Sequence, residues 1–193
     1  SEAHLESVRD ELAPQLAQLA LHSFGNYLVS ALTKLPLMHA PLCDAFDGLV
    51  LRLLMHAQGS RVIQSAVVAF PPDLRDRLAT ELTGHICEVS QSVHGSWGVC
   101  ALFKHTHAPH ILAEVGCSIY SLSMQQHGCR VVQSVLQEAS EAGLDLGPPT
   151  AALLAGDLES LSMHPFGNYA VQVRVPSSCT ARAHSVPPLR PAP

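Results

Sequence analysis

Five short segments of this chain place small hydrogen-bonding side chains and flat or cationic ones at a fixed spacing behind a glycine. They read Asn26-Tyr27-Ser30 after Gly25, Ser60-Arg61-Gln64 after Gly59, Ser96-Trp97-Cys100 after Gly95, Cys129-Arg130-Gln133 after Gly128, and Asn168-Tyr169-Gln172 after Gly167. The first and third members of each triplet are four residues apart, so on a helix they lie one above the other on a single face. The middle member leans to one side of that face. Short amide, hydroxyl and thiol groups between planar or cationic side chains are what reading single-stranded bases requires: donors and acceptors for the base edge, flat surfaces for the base plane. An unspecialised solvated face would favour Lys and Glu, with no reason to repeat Asn, Ser and Cys at one register. Tyr27, Tyr169 and Trp97 could instead be packing aromatics, although the residues that follow them already supply a core.

The elements that must position these triplets follow from the spacing of the glycines. Successive intervals are 34, 36, 33 and 39 residues, a period typical of helical solenoids. Nine residues before each glycine stand Leu16, Val50, Ile86, Ile119 and Leu158; six before stand Leu19, Leu53, Val89, Leu122 and Leu161; four after stand Val29, Ile63, Val99, Val132 and Val171. Offsets of three and a wide apolar face predict helices and not strands. Each unit is expected to be a helix, a glycine break serving as a C-cap, and a second helix.

Pro36, Pro41, Pro71, Pro72, Pro109, Pro148 and Pro149 fall between units, where helices are expected to stop. A small extra helix is predicted in PPDLRDRLATEL with Asp73 as its N-cap. The longest linker, EASEAGLDLGPPTAALLAG, is expected to be an excursion. The expected architecture is all-α: a right-handed superhelical crescent of five repeats over about 1–35, 36–72, 73–107, 108–143 and 144–174. Residues 175–193, rich in proline and without apolar periodicity, are expected to be a disordered tail. The helical opening of the chain and the abrupt change after Gln172 suggest a piece of a longer protein.

Composition sets limits on function. The 193 residues are 47% hydrophobic, enough for a core of domain size. Lys and Arg number 11 against 16 Asp and Glu, a net charge of -5, so overall charge gives no reason to expect a polyanion partner. Cys43, Cys87, Cys100, Cys117, Cys129 and Cys179 form no CxxC pair and are expected to be reduced thiols of an intracellular protein. No apolar run approaches a bilayer span. His105, His107 and His110 lie in a linker without Cys or acidic company, which argues against a metal site. His22, His56 and His164 recur three residues before their glycines, as packing or capping groups would. No nucleophile elbow, HExxH or phosphate-cradling loop is present, so neither an enzyme nor a cofactor is expected.

The segments GNYAVQ, GCRVVQ and GSRVIQ closely resemble the second-helix motif of the Pumilio (PUF) RNA-binding repeat, over roughly residues 13–172. Family members usually carry eight repeats. The resemblance implies a crescent that binds RNA antiparallel to the protein, one base per repeat. It also implies that an Asn/Gln pair favours uracil and that Cys/Gln or Ser/Gln favours adenine. Asn168 with Gln172 would then read U, Cys129 with Gln133 would read A, and Ser60 with Gln64 would read A. Arg61, Arg130, Tyr27 and Tyr169 would stack between bases, giving a core of 5′-UANAN-3′. Ser30 stands where the family has Gln, and Trp97 and Cys100 replace the usual stacker and amide; Trp97 can still stack, but a thiol is a feeble edge reader.

The function so implied is selective binding of single-stranded RNA in messenger 3′ untranslated regions, for repression or decay, by a cytoplasmic and monomeric protein with protein partners on its convex face. Two other readings stay open. One is a nucleolar relative in ribosomal RNA processing with little base selectivity, favoured by the damaged first and third triplets. The other is a helical scaffold that binds protein on its concave face.

Overall fold

A computed structural model describes residue 7 and residues 9–172 of the chain. The tail expected from about Val175 onward lies outside the described residues. Among them there is no strand; the fold is an all-α solenoid. Its helices are α1 (Leu16–Leu21), α2 (Gly25–Leu32), α3 (His39–Phe46), α4 (Val50–Met55), α5 (Ala57–Ala69), α6 (Pro72–Thr80) and α7 (Ile86–Gln91). They are followed by α8 (Gly95–Thr106), α9 (Pro109–Cys117), α10 (Ile119–Ser123), α11 (Gly128–Glu141), α12 (Gly147–Leu154), α13 (Leu158–Met163) and α14 (Gly167–Val171).

The extra helix expected in PPDLRDRLATEL is α6, and α3, α9 and α12 hold the same place in other units, so the expected two-helix unit is corrected to three. The proline-bearing linkers do not merely end helices; they begin new ones. Pro72 opens α6, Pro109 opens α9, Pro148 sits in the first turn of α12, and Pro36 heads a 3-10 turn leading into α3. Proline fits there because the first helical turn has no partner for its N–H anyway. The supposed excursion before Gly167 therefore contains α12, which packs against α9. Asp73 lies one residue inside α6 and not at its N-cap, which is Pro71; its carboxylate still faces the positive end of the helix.

The triplet-bearing helices α2, α5, α8, α11 and α14 stack in succession, each on the next. Each also packs against the short helix that precedes it: α1 on α2, α4 on α5, α7 on α8, α10 on α11 and α13 on α14. The third helices close the triangle, with α6 on α8 and α9 on α11. The core runs between these stacks. The aliphatic positions singled out by the repeat are fully buried in the middle units, as at Val50, Leu53, Ile63, Ile86, Val89, Val99, Leu122 and Val132. In the last described unit Leu158 and Val171 remain exposed at 36% and 45%.

The repeating glycines do not adopt the left-handed conformation of a C-cap. That conformation belongs to Gly48, Gly84 and Gly143; after Gly143, Leu144 N–H reaches back to Ala139 C=O at 2.8 Å to finish α11. Gly25, Gly95, Gly128 and Gly167 are instead the first residues of their helices, and Gly59 is the third of α5. They are glycine because the preceding helix comes too close for a side chain. A Cβ on Gly59 would stand 2.5 Å from Leu53 C=O, on Gly128 2.5 Å from Leu122 C=O, on Gly95 2.6 Å from Val89 C=O, on Gly167 2.6 Å from Leu161 C=O, and on Gly25 2.8 Å from Leu19 C=O. The contact is always with the aliphatic residue six positions upstream.

The entry into three of the triplet helices, α2, α8 and α14, is capped from that same turn. His22 Nδ1 accepts from the N–H groups of Phe24 and Gly25, and His164 Nδ1 does so from Phe166 and Gly167. Ser92 Oγ takes the same role for His94 and Gly95. His56 makes no such side-chain cap.

Repeats are also tied by hydrogen bonds about one period long. Glu114, on α9, accepts from Gly84 N–H and Ile86 N–H at 2.7 and 3.1 Å, capping α7 of the preceding unit. Glu81 accepts from Val50 N–H at 3.3 Å and caps α4 in the same way.

Since the obstacle at Gly59 is rigid backbone, Gly59→Ala is expected to lower the unfolding free energy by about 1–3 kcal/mol, the usual cost of overpacking. Alanine's better helix propensity would offset about 1 kcal/mol of that at most. Gly59→Asn, tolerable at a left-handed cap, is expected to be at least as damaging. Urea unfolding followed by circular dichroism measures both, and an unchanged midpoint for either variant contradicts the close-approach account.

Candidate nucleic-acid interface

Because each triplet begins one residue past the glycine, the helix–helix contact that fixes the glycine also fixes which way the triplet faces. The structure sorts its members by depth. The first members are sunk: Asn26, Ser60, Ser96 and Cys129 are buried and Asn168 is half-buried. The middle members stand out, with Tyr27, Trp97 and Tyr169 exposed at 64%, 54% and 48%, Arg61 exposed and Arg130 half-buried. Large aromatics left this exposed on one row of helices are not core packing. The third members Ser30, Gln64, Cys100 and Gln133 are half-buried between them, and Gln172 is exposed.

The sunken polar groups are anchored, which fixes what they present. Asn26 Nδ2 donates to His22 C=O and Ser23 C=O at 2.9 and 2.8 Å; Asn168 Nδ2 donates to His164 C=O and Pro165 C=O at 2.9 and 3.0 Å. Carbonyls only accept, so both amides must turn their Oδ1 outward as an acceptor. Gln172 Nε2 donates to Asn168 Oδ1 at 3.0 Å, joining the first and third members of that triplet. In the second unit Gln64 Nε2 donates to Ser60 Oγ at 3.0 Å. Ser60 Oγ in turn donates to His94 C=O, one repeat on, at 2.8 Å. Gln133 Nε2 donates to Tyr169 C=O at 3.3 Å, again across a repeat boundary.

The thiols behave differently from the amides. Burial raises the pKa of Cys100 and of Cys129 above the ordinary thiol value, so both stay protonated. Cys129 Sγ donates to Gln126 C=O at 3.4 Å. Cys100 packs against the core and beside the Ser134 hydroxyl.

Between the second and third units these parts enclose a hollow of about 290 Å³. Ser60, Arg61, Gln64 and Trp97 line it, together with Ala57, Val93 and His94. The boundary between the third and fourth units is different. There the Arg130 guanidinium carbon lies 4.1 Å from the centroid of the Trp97 ring, a cation–π contact that no spacing in the sequence reveals. Arg130 Nη2 also meets His127 Nδ1 at 3.4 Å, while its Nη1 is buried without a partner.

His110 Nε2 contacts Ala79 C=O at 3.0 Å, His107 ends α8 in a left-handed conformation, and among the described residues no group of three His, Cys, Asp or Glu is gathered at metal-binding distance. No helix of the described residues is long and apolar enough to cross a membrane. A more apolar hollow, about 410 Å³, lies away from the triplets between α9 and α12, lined by Leu112, Gly116, Leu144 and Pro149 among others.

The sequence profile of the Pumilio-family RNA binding repeat matches residues 15–29, 50–83, 118–145 and 158–172. The segment 84–117, which carries Ser96, Trp97 and Cys100, lies between the matched segments. The chain is 24% identical over 182 residues to Pumilio homolog 12 of Arabidopsis thaliana, covering 87% of this chain and 29% of that protein. Among solved structures it superposes on the Puf3 RNA binding domain bound to the Cox17 RNA 3′ UTR recognition sequence site B. That match has a TM-score of 0.75 at 24% identity and covers 90% of this chain and 50% of the other. A Puf4 mutant bound to the Cox17 RNA 3′ UTR recognition sequence gives a TM-score of 0.82 at 19% identity, covering 94% and 57%. The chain thus spans less than a third of its curated relative and about half of the solved domains. With the repeat profile matched in four of its five units, and those units folded as the solenoid of the solved domains, the chain belongs to the Pumilio family of repeat proteins.

Proposed function

We propose that the chain binds single-stranded RNA along the exposed row of α2, α5, α8, α11 and α14, with base selectivity set by the triplets. The observation that carries this reading is the hollow of about 290 Å³ lined by the planar groups of Arg61 and Trp97 and the polar groups of Ser60 and Gln64. A base sliding in would stack on both sides and meet hydrogen-bonding groups at its edge. The Puf3 and Puf4 domains that share the fold were solved bound to RNA 3′ UTR recognition sequences, which supports the same class of ligand here.

The chemistry of each unit supports a particular base. At Asn168/Gln172 an outward Oδ1 acceptor beside a Gln amide suits uracil, whose N3–H donor is flanked by carbonyl acceptors. At Ser60/Gln64 and Cys129/Gln133 the Gln amide offers donor and acceptor side by side, matching adenine N1 and N6. The preferred element is 5′-UANAN-3′, with the 5′ base on the last unit. Ser30 leaves the first unit without its amide, so the final position is weakly read. Binding to messenger 3′ untranslated regions in the cytoplasm, as a monomer acting in repression or decay, is the biological setting we propose.

Net charge of -5 implies that stacking and edge contacts, and not phosphate neutralisation, supply most of the affinity. A labelled UAUAU-containing oligonucleotide is therefore expected to bind at least tenfold more tightly than its UGCGC counterpart in filter binding. Equal affinity for the two, with a steep salt dependence, favours instead a relative that binds structured RNA without base selectivity. Gln133→Glu keeps the side chain's size but removes its donor; it is expected to cut the preference for adenine at the second position about tenfold, from the roughly 1–3 kcal/mol of a good edge contact. Tyr169→Ala is expected to weaken binding of every sequence by about 1–3 kcal/mol, leaving the preference at the second position unchanged.

A further inference from the structure

The two boundaries that flank Trp97 are unlike. On the side of the second unit, Trp97 and Arg61 stand apart around an open hollow of about 290 Å³. On the side of the fourth unit, Arg130 lies directly on the indole at 4.1 Å. A base held between two stackers needs two van der Waals separations, about 7–8 Å from one stacker to the other. At 4.1 Å there is space for none.

The would-be floor of that slot is also without readers. Ser96 is completely buried, and its hydroxyl is spent on Val93 C=O at 3.4 Å. Cys100 packs against the core and offers only a protonated thiol beside Ser134. Gly98, one residue on from Trp97, leaves its place to the fully buried Leu54 side chain of the preceding unit. The middle unit thus has neither gap nor edge groups, while its neighbours on both sides have Gln64 and Gln133.

We propose that the third repeat is skipped: the Trp97–Arg130 pair itself fills the place of a base in the stack, and the nucleotide opposite it is turned outward and unread. This rests on the RNA reading above. Along the row the order becomes Tyr169, adenine, Arg130, Trp97, adenine, Arg61. Each adenine then lies on one face of the protein's own stacked pair. The ligand class narrows from five consecutive bases to a uracil and two adenines, the adenines separated by a spacer whose base is irrelevant. Trp97 and Arg130 are then specificity-determining residues, because together they decide which position in the RNA goes unread.

The experiment uses 5′-UAUAU-3′ within a longer labelled strand, with abasic substitutions placed one at a time and a 2-aminopurine probe at the spacer, the third nucleotide. An abasic spacer is expected to change affinity less than twofold, while an abasic site at either adenine lowers it tenfold or more. Spacer 2-aminopurine, dim when stacked and bright when free, is expected to brighten on binding. Trp97→Ala, which unlocks Arg130 and opens the slot, is expected to reverse this and quench the probe. If the adenines matter and the abasic spacer costs as much as they do, or if 2-aminopurine is quenched in the unaltered protein, the closed slot is wrong while RNA reading stands. If abasic sites at the adenines are harmless too, or the RNA is not bound, base reading fails and this inference with it.

Discussion

Everything on the exposed row depends on one contact: backbone against backbone where each triplet helix meets the one before it. The carbonyl of Leu19, Leu53, Val89, Leu122 or Leu161 occupies the space a side chain would need at the glycine six residues later. Only hydrogen fits there, so the two helices close to a distance that no other residue allows. This fixes the rotation of the second helix about its axis. Its apolar residues at Val29, Ile63, Val99 and Val132 are thereby turned into the core, and the residues one, two and five past the glycine are turned out on one side. The same carbonyl contact repeated five times sets the triplets in a row.

A row of buried amides and hydroxyls is costly unless each finds a partner. Here the partners are local backbone carbonyls and carbonyls of the next repeat, as with Asn26 on His22 and Ser23 and Ser60 on His94. The free protein therefore has few loose polar ends to reorganise. On the proposed reading a matching base would exchange one set of hydrogen bonds for another at small net gain, so the stacking surfaces would supply most of the affinity. A mismatched base would cover the remaining amide oxygen and N–H of Gln64 or Gln133 without satisfying them, and the penalty for that exceeds the reward for a match. Selectivity of this kind comes from rejection more than attraction.

Much of this was readable in the sequence because it depends on periods. The 33- to 39-residue spacing identified the repeat, and the three aliphatic offsets picked out residues that are fully buried through the middle of the chain. Two features escaped because they depend on distance. Glycine at a helix junction has the same signature whether it permits a left-handed turn or a close approach, and here only coordinates separate Gly143 from Gly128. Proline between units reads as a terminator, and only PPDLRDRLATEL suggests a further helix there, although Pro109 and Pro148 also open third helices. The pairing of Arg130 with Trp97 was invisible for a simpler reason: they are 33 positions apart, and nothing in either segment says that the two side chains meet.

The middle unit shows how substitutions at one site come to depend on each other. Trp97 is the chain's single tryptophan, and indole is the strongest of the aromatic cation–π partners. Arg61 neighbours Trp97 on its other side, but there the two line an open hollow, and among the described residues the close cation–π contact is the one between Arg130 and Trp97. Once the guanidinium settles on the indole, an amide at position 100 would face a closed slot and would have to be buried unpaired, which the interior penalises. A small thiol with a raised pKa, packed against aliphatic neighbours, is the cheaper occupant. Cys100 is then not a damaged reader but the residue that suits a slot already shut by its neighbours, and Gly98, with Leu54 packed into its place, belongs to the same local arrangement.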